Sequence, residues 1–115
     1  MKKIRLIINN DNKKREKERF FIKKELQCIL NLYAKMVSNG SWKDYSFSSG
    51  SKEISFEVYQ RASEKPVLKI TKNLRPSYFN EKYLIKDRNG NILKKSESLN
   101  NLINKTSWNK LRIVR

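Results

Sequence analysis

IKKELQCILNLYAKMVSNG, residues 22–40, decides the fold. Its apolar residues Ile22, Leu26, Ile29, Leu30, Tyr33, Met36 and Val37 recur at three-and-four spacing, which places them on one stripe of an amphipathic α-helix. Ser38, Asn39 and Gly40 mark the end, since glycine takes the left-handed conformation that closes a helix and asparagine tolerates it next best. The start carries no such mark, because Ile22 and Lys23 offer no capping oxygen.

After Gly40 the period changes from 3.6 to two. Trp42, Tyr45 and Phe47 supply the aromatic residues that favour strands. A turn over 48–52 follows, and then Ile54, Phe56 and Val58 alternate with Ser55, Glu57 and Tyr59, which predicts one buried and one wetter face. A third strand over 67–72 sets Leu68 and Ile70 on one side. The link between these strands, Arg61 to Pro66, is short enough to make them antiparallel neighbours. Leu30 and Tyr33 are expected to pack on Phe56 and Val58.

The residues Leu30-Asn31-Leu32-Tyr33, Met36-Val37, Gly40, Trp42, Asp44-Tyr45, and Arg61-Ala62-Ser63-Glu64 with Pro66 carry a resemblance. In this order the chain resembles an uncharacterised family of alphaproteobacterial proteins known as a domain of unknown function. A weaker match runs through Ile70, Lys72, Tyr83, Gly90, Ile92, Leu93 and Lys94, so that about residues 20–99 are covered. The resemblance implies no reaction, ligand or partner. One departure is Ile22, where an acidic residue is expected; without it the helix start is uncapped.

The 115 residues suit a single domain with one modest core. Residues 1–19 form a basic N-terminal strand or arm, 20–99 the core, and 100–115 the end of a C-terminal helix and an edge strand. Hydrophobic residues make up 37% of the chain and are periodic rather than sparse, which excludes a disordered polymer. No window is apolar enough for a membrane span or a signal-peptide core, so a cytoplasmic protein is expected. A single cysteine, Cys28, and no histidine exclude an internal disulfide and a multi-thiolate metal site. Neither a metal nor a cofactor is expected.

The net charge of +16 points to a polyanion, and its distribution decides how far. Residues 1–24 carry ten Lys and Arg against three acids, residues 25–64 four against five, and residues 65–115 thirteen against three. Positive charge therefore lies in the two flanks. Lys outnumbers Arg 19 to 8, as codon bias in an AT-rich gene would also produce, whereas selection for base recognition favours arginine's bidentate fork.

Along the rest of the chain, Ile4, Leu6 and Ile8 alternate as an opening strand. The mixed-charge run after it, with Lys13, Lys14 and Arg15, reads as a solvated extension or a basic arm. Residues 73–82 read as a loop in which Tyr78 and Phe79 tuck against the sheet. Tyr83 to Lys86 and Asn91 to Lys95 make a hairpin about Asn89-Gly90, whose positive-φ preference suits a tight turn. Ser96 or Ser98 caps a short helix with Leu99, Leu102 and Ile103 on one side. Trp108 reads as a packing anchor, and Leu111 to Val114 as an edge strand.

The fold class is thus α+β, with one amphipathic helix on an antiparallel sheet of four to six strands and a short C-terminal helix. No catalytic spacing or glycine-rich phosphate loop is present, so an enzyme is not expected. Two groups are candidates for binding. Arg61, Ser63 and Glu64 set a guanidinium, a hydroxyl and a carboxylate in one turn, able to hold an anion or merely to satisfy each other and the local backbone. Trp42, Asp44 and Tyr45 follow the helix end, where the aromatic rings stack on bases or plug the core edge. Cys28, opposite the stripe and one turn from Lys24, reads as an inert small residue or as a reactive thiol. The leading function is a nucleic-acid-binding module for RNA or DNA with low sequence specificity, and the alternative is a protein-interaction adaptor using the Arg61–Pro66 turn.

Overall fold

The change of period at Gly40 is a change from helix to sheet in the structure, a computed structural model that describes residues 20–61 and 65–108. Helix α1 spans Lys23–Ser38, followed by strands β1 (Asp44–Ser49), β2 (Glu53–Tyr59), β3 (Leu68–Asn73), β4 (Tyr83–Asp87) and β5 (Ile92–Ser96), and helix α2 (Leu99–Lys105). The strands pair in sequence order and antiparallel throughout, as a meander. This is the expected α+β architecture. The segment Ile4 to Ile8, the run with Lys13, Lys14 and Arg15, the residues Ser63 and Glu64, and Leu111 to Val114 lie outside the described residues.

The core lies between α1 and one face of the sheet. Register places Phe56 opposite Ile70 and Ile70 opposite Ile85, a row of buried side chains across three strands. From above come Ile29, Leu32 and Met36 of α1, and from the end Leu99, Leu102 and Trp108. Trp108 donates its Nε1–H to the Ile103 carbonyl at 3.0 Å and meets Trp42 edge-on with centroids 5.8 Å apart. It is the anchor the sequence suggests.

The buried stripe of α1 is not the one its apolar residues predict. Glu25, Ile29, Leu32 and Met36 are buried, whereas Leu30 is 41% exposed. Tyr33 does meet Phe56 edge-on at 5.9 Å, but Leu30 faces solvent. The apolar arc of α1 is wider than the core can take, so the helix is rolled. One flank turns to α2, where Cys28 Sγ lies 3.8 Å from Asn100 Oδ1, so Cys28 faces the second helix rather than Lys24 and solvent. On the other flank Leu26 and Tyr33 pack against the core, Tyr33 meeting Tyr45 of β1 edge-on at 4.9 Å, while Leu30 and Val37 are left exposed.

The helix ends as its sequence indicates. Gly40 has φ +84°, its N–H donates to Val37 O at 3.0 Å, and the Ser41 N–H donates to Met36 O at 2.9 Å, so carbonyls the last turn would orphan are satisfied. At the start, Ile22 indeed caps nothing with its side chain, but Glu25 Oε1 accepts from the Ile22 N–H at 2.8 Å, half of a capping box. In the β4–β5 turn only Gly90 takes a positive φ, +87°, and Asn89 does not. The Asp87 N–H donates to Asn91 O and the Gly90 N–H to Asp87 O, a longer connection than a two-residue turn, and the register slips between Ile85 and Lys86. Ser98, not Ser96, caps α2 by accepting from the Asn101 N–H at 3.3 Å.

The outer face of the sheet is drier than its alternation suggests. Ser55 and Thr71 are buried there and bonded to each other, Oγ to Oγ1, at 2.8 Å. The Lys86–Glu53 ion pair, 3.3 Å, bridges from β4 to β2 across the strand that carries Thr71. Tyr78 does not tuck against the sheet, being 68% exposed.

Candidate functional site

Trp42 is 3% exposed and therefore fills the core, presenting no face on which a base could stack. Asp44 and Tyr45 open β1, where the Asp44 carboxylate accepts the Tyr45 N–H at 2.8 Å. Tyr45 is half exposed and meets Tyr33 edge-on at 4.9 Å. Asp44 sits near Tyr33 too; burial first, and then that carboxylate, raises the Tyr33 phenol above its ordinary pKa. Arg61 is exposed just past β2, and its companions Ser63 and Glu64 lie outside the described residues.

The structure assembles a polar cluster that the sequence reading missed. Glu25 on α1, Lys72 on β3 and Tyr83 on β4 are all buried among the apolar side chains. Lys72 and Tyr83 are cross-strand partners, and both reach up to Glu25. Lys72 Nζ lies 3.0 Å from Glu25 Oε1 and also donates to the Phe20 carbonyl at 3.0 Å, while the Tyr83 hydroxyl donates to Glu25 Oε2. Burial, and then the hydrogen bond to Glu25, push the Tyr83 phenol well above its ordinary range. Every member is satisfied within the cluster, so it clamps α1 to the sheet. Its signal was present: Glu25 is four residues before Ile29 on the buried stripe, and Lys72 follows Leu68 and Ile70 at period two.

Charge is sorted across the sheet. Strands β1 and β2 carry Asp44, Glu53 and Glu57 with no Lys or Arg, whereas β3, β4 and β5 carry Lys69, Lys72, Lys86, Lys94 and Lys95 against Asp87. Lys72 is spent on Glu25, Lys69 pairs with Glu57 at 3.7 Å, and Lys86 pairs with Glu53. Asp87 is engaged by its own turn: N–H groups of Asn89 and Asn91 bond it at 2.9 Å, and these bonds, that from Asn91 foremost, hold its carboxyl below the usual range. The surplus therefore collects at the β4–β5 hairpin, on Arg88, Lys94 and Lys95, and on Lys82 just before it. Of these, among the described residues, only Lys95 has a carboxylate in reach, Glu81 at 3.8 Å. That contact ties the hairpin to the short 3-10 turn Phe79–Glu81, and Tyr78 stands exposed immediately before it.

A cleft of about 330 Å³ opens between α1 and α2, lined by Cys28, Asn31, Lys35, Asn100, Asn104 and Trp108 among others. Among the described residues its lining holds no carboxylate to act as a base for the Cys28 thiol. Among the described residues no group of three or more Cys, Asp or Glu is placed to hold a metal ion, and no helix is long and apolar enough to cross a membrane.

No curated protein and no solved structure matches the chain significantly. A family model does, over residues 19–103, which take in α1, the whole sheet and most of α2. The chain belongs to the family described as protein of unknown function (DUF2794).

Proposed function

We propose that this protein is a non-enzymatic nucleic-acid-binding module of low sequence specificity. The observation that supports the reading is the excess of positive charge, among the described residues, at and beside the β4–β5 hairpin, set at the far side of the sheet from the acidic β1 and β2. Arg88 and Lys94 on the hairpin and Lys82 just before it, with Lys95 beside Glu81, can address phosphates, and lysine, a point charge without a planar fork, contributes attraction more than base readout. The exposed Tyr78 ring beside them offers a stacking surface, the usual companion of a basic track in single-strand binding. Single-stranded RNA or DNA is thus the favoured form. Titrating a labelled oligonucleotide at two salt concentrations tests it. A log-log slope equivalent to about four or more phosphates is expected from counterion release. Undetectable binding at low salt would overturn the reading and favour a protein-interaction adaptor that uses the Arg61–Pro66 turn.

A further inference from the structure

Three glycines occur in the chain, and two of them follow an asparagine, at Asn39-Gly40 and Asn89-Gly90. Asparagine before glycine is the step most open to attack by the backbone on its own side chain, because glycine has no Cβ to hinder its nitrogen. Both steps are exposed, both glycines take a positive φ, and a Cβ at either would meet no atom within 4 Å. The attacking nitrogens are also held alike: the Gly40 N–H donates to Val37 O and the Gly90 N–H to Asp87 O, each at 3.0 Å. The two carboxamides differ. Asn39 Oδ1 accepts the Ser41 N–H at 3.0 Å, and Asn39 Nδ2 lies 3.7 Å from Sδ of the buried Met36. The Asn89 backbone N–H donates to Asp87 Oδ1 at 2.9 Å, but its carboxamide makes no hydrogen bond to any described residue. That side chain can swing over the Gly90 nitrogen without breaking a bond of its own.

We propose that Asn89 is a site of spontaneous covalent modification, at which loss of ammonia through a cyclic imide puts a carboxylate into the basic β4–β5 turn. The Gly90 nitrogen gives up its proton to solvent and attacks Asn89 Cγ. As this bond closes a five-membered ring, the Cγ–Nδ2 bond breaks and Nδ2 leaves as ammonia, taking a proton back from solvent. Water then opens the imide. Cleavage of the Gly90 N–Cγ bond leaves aspartate, whereas cleavage at the main-chain carbonyl carbon leaves isoaspartate, with the chain running on through the former side chain. Either route consumes one water, releases one ammonia and transfers no electrons. Residues 86–95 hold four Lys and Arg against one acid, a net +3, which a second carboxylate lowers to +2. Isoaspartate also lengthens the main chain by one carbon inside the turn that the Asp87 N–H closes on Asn91 O at 2.9 Å. The modification does not rest on nucleic-acid binding, although it falls on the surface which that reading uses.

Incubating the full chain at mildly alkaline pH and mapping its peptides by mass spectrometry tests this. Asn89 should convert from amide to acid about five-fold faster than Asn39, the margin that one retained hydrogen bond gives. In oxygen-labelled water the product should carry one labelled oxygen, and isoaspartate should be present beside aspartate. In urea, where both side chains are released, the two rates should converge. Gly90→Ala should slow conversion at Asn89 severalfold and leave Asn39 unchanged, because it places a Cβ beside the attacking nitrogen. Conversion of Asn39 as fast as Asn89 in the folded chain overturns the proposal. So does a native ratio of rates equal to that in urea, or conversion of Asn89 no faster than that of Asn91, which precedes isoleucine.

Discussion

The ammonium of Lys72 on β3 lies 3.0 Å from the carboxylate of Glu25 on α1, and both groups are buried. Desolvating two charges is expensive, and the cost is offset only because each ion gains further partners: Ile22 N–H and Tyr83 OH for Glu25, Phe20 O for Lys72. Through these bonds the first turn of α1, the chain entering it, and two central strands share one fixed point.

Removing one member should therefore cost more than removing both. Glu25→Ala is expected to destabilise by about 3–5 kcal/mol, because it strands a buried ammonium. Combining Glu25→Leu with Lys72→Met should recover much of the loss. Urea unfolding of the two singles and the double gives the coupling energy, and additive losses would show that the pair does not act as a unit.

Tyr83 predicts an alkaline limit. Its folded pKa is raised above the ordinary value of 10.0, so the neutral phenol favours the folded state. That contribution is fully present below pH 10, and is lost as pH rises above it, where the unfolded chain ionises and the folded one does not. Tyr83→Phe should lower stability at neutral pH by about 1–3 kcal/mol, since Glu25 loses a donor. Its deficit should shrink above pH 10. A deficit constant across that range would refute the assignment.

The roll of α1 sets Ile29 against Leu30. Ile29 has no exposure, and Ile29→Ala should cost about 2–5 kcal/mol. Leu30→Ala in dilute solution should cost less than about 1 kcal/mol, since its side chain is already largely solvated. Equal losses in thermal melts would restore the stripe that spacing alone suggests.

That roll shows what was legible in the sequence and what was not. Spacing fixes that residues 23–38 form a helix with an apolar arc, and alternation fixes the strands, because both depend on neighbours along the chain. Which part of a wide arc faces the core depends on what else docks there. Here Cys28 is turned towards α2, seventy-odd residues later, and Leu30 is left out. Glu25 and Lys72 were hidden for a related reason: each looks like an ordinary surface charge until the two apolar faces on which they sit are brought together. Among the candidate binding residues, Trp42 was hard to place because a tryptophan at a helix-to-strand junction serves packing and stacking equally well until burial is known.

Gly90 tests the hairpin on which the basic surplus sits. Its φ of +87° lies where side chains are strained, although a Cβ there would meet no atom within 4 Å. Gly90→Ala should thus cost about 1 kcal/mol from backbone strain alone, and Gly90→Asn less. A loss of several kcal/mol would mean that the turn contacts something beyond the described residues.

The charge sorting across the sheet makes the nucleic-acid reading specific to one side of the molecule. Lys94→Glu with Lys95→Glu should weaken oligonucleotide binding and lower the log-log salt slope by about two phosphates' worth, because each lysine that leaves the footprint no longer releases a counterion. Lys35→Glu with Lys43→Glu makes the same change in net charge on α1 and beside β1, and should alter the slope little. Tyr78→Ala should lower affinity for single strands by about 1–3 kcal/mol while leaving the slope unchanged, since stacking releases no counterions. Equal effects of the two lysine pairs would show that net charge alone drives binding, and that the β4–β5 hairpin is no interface.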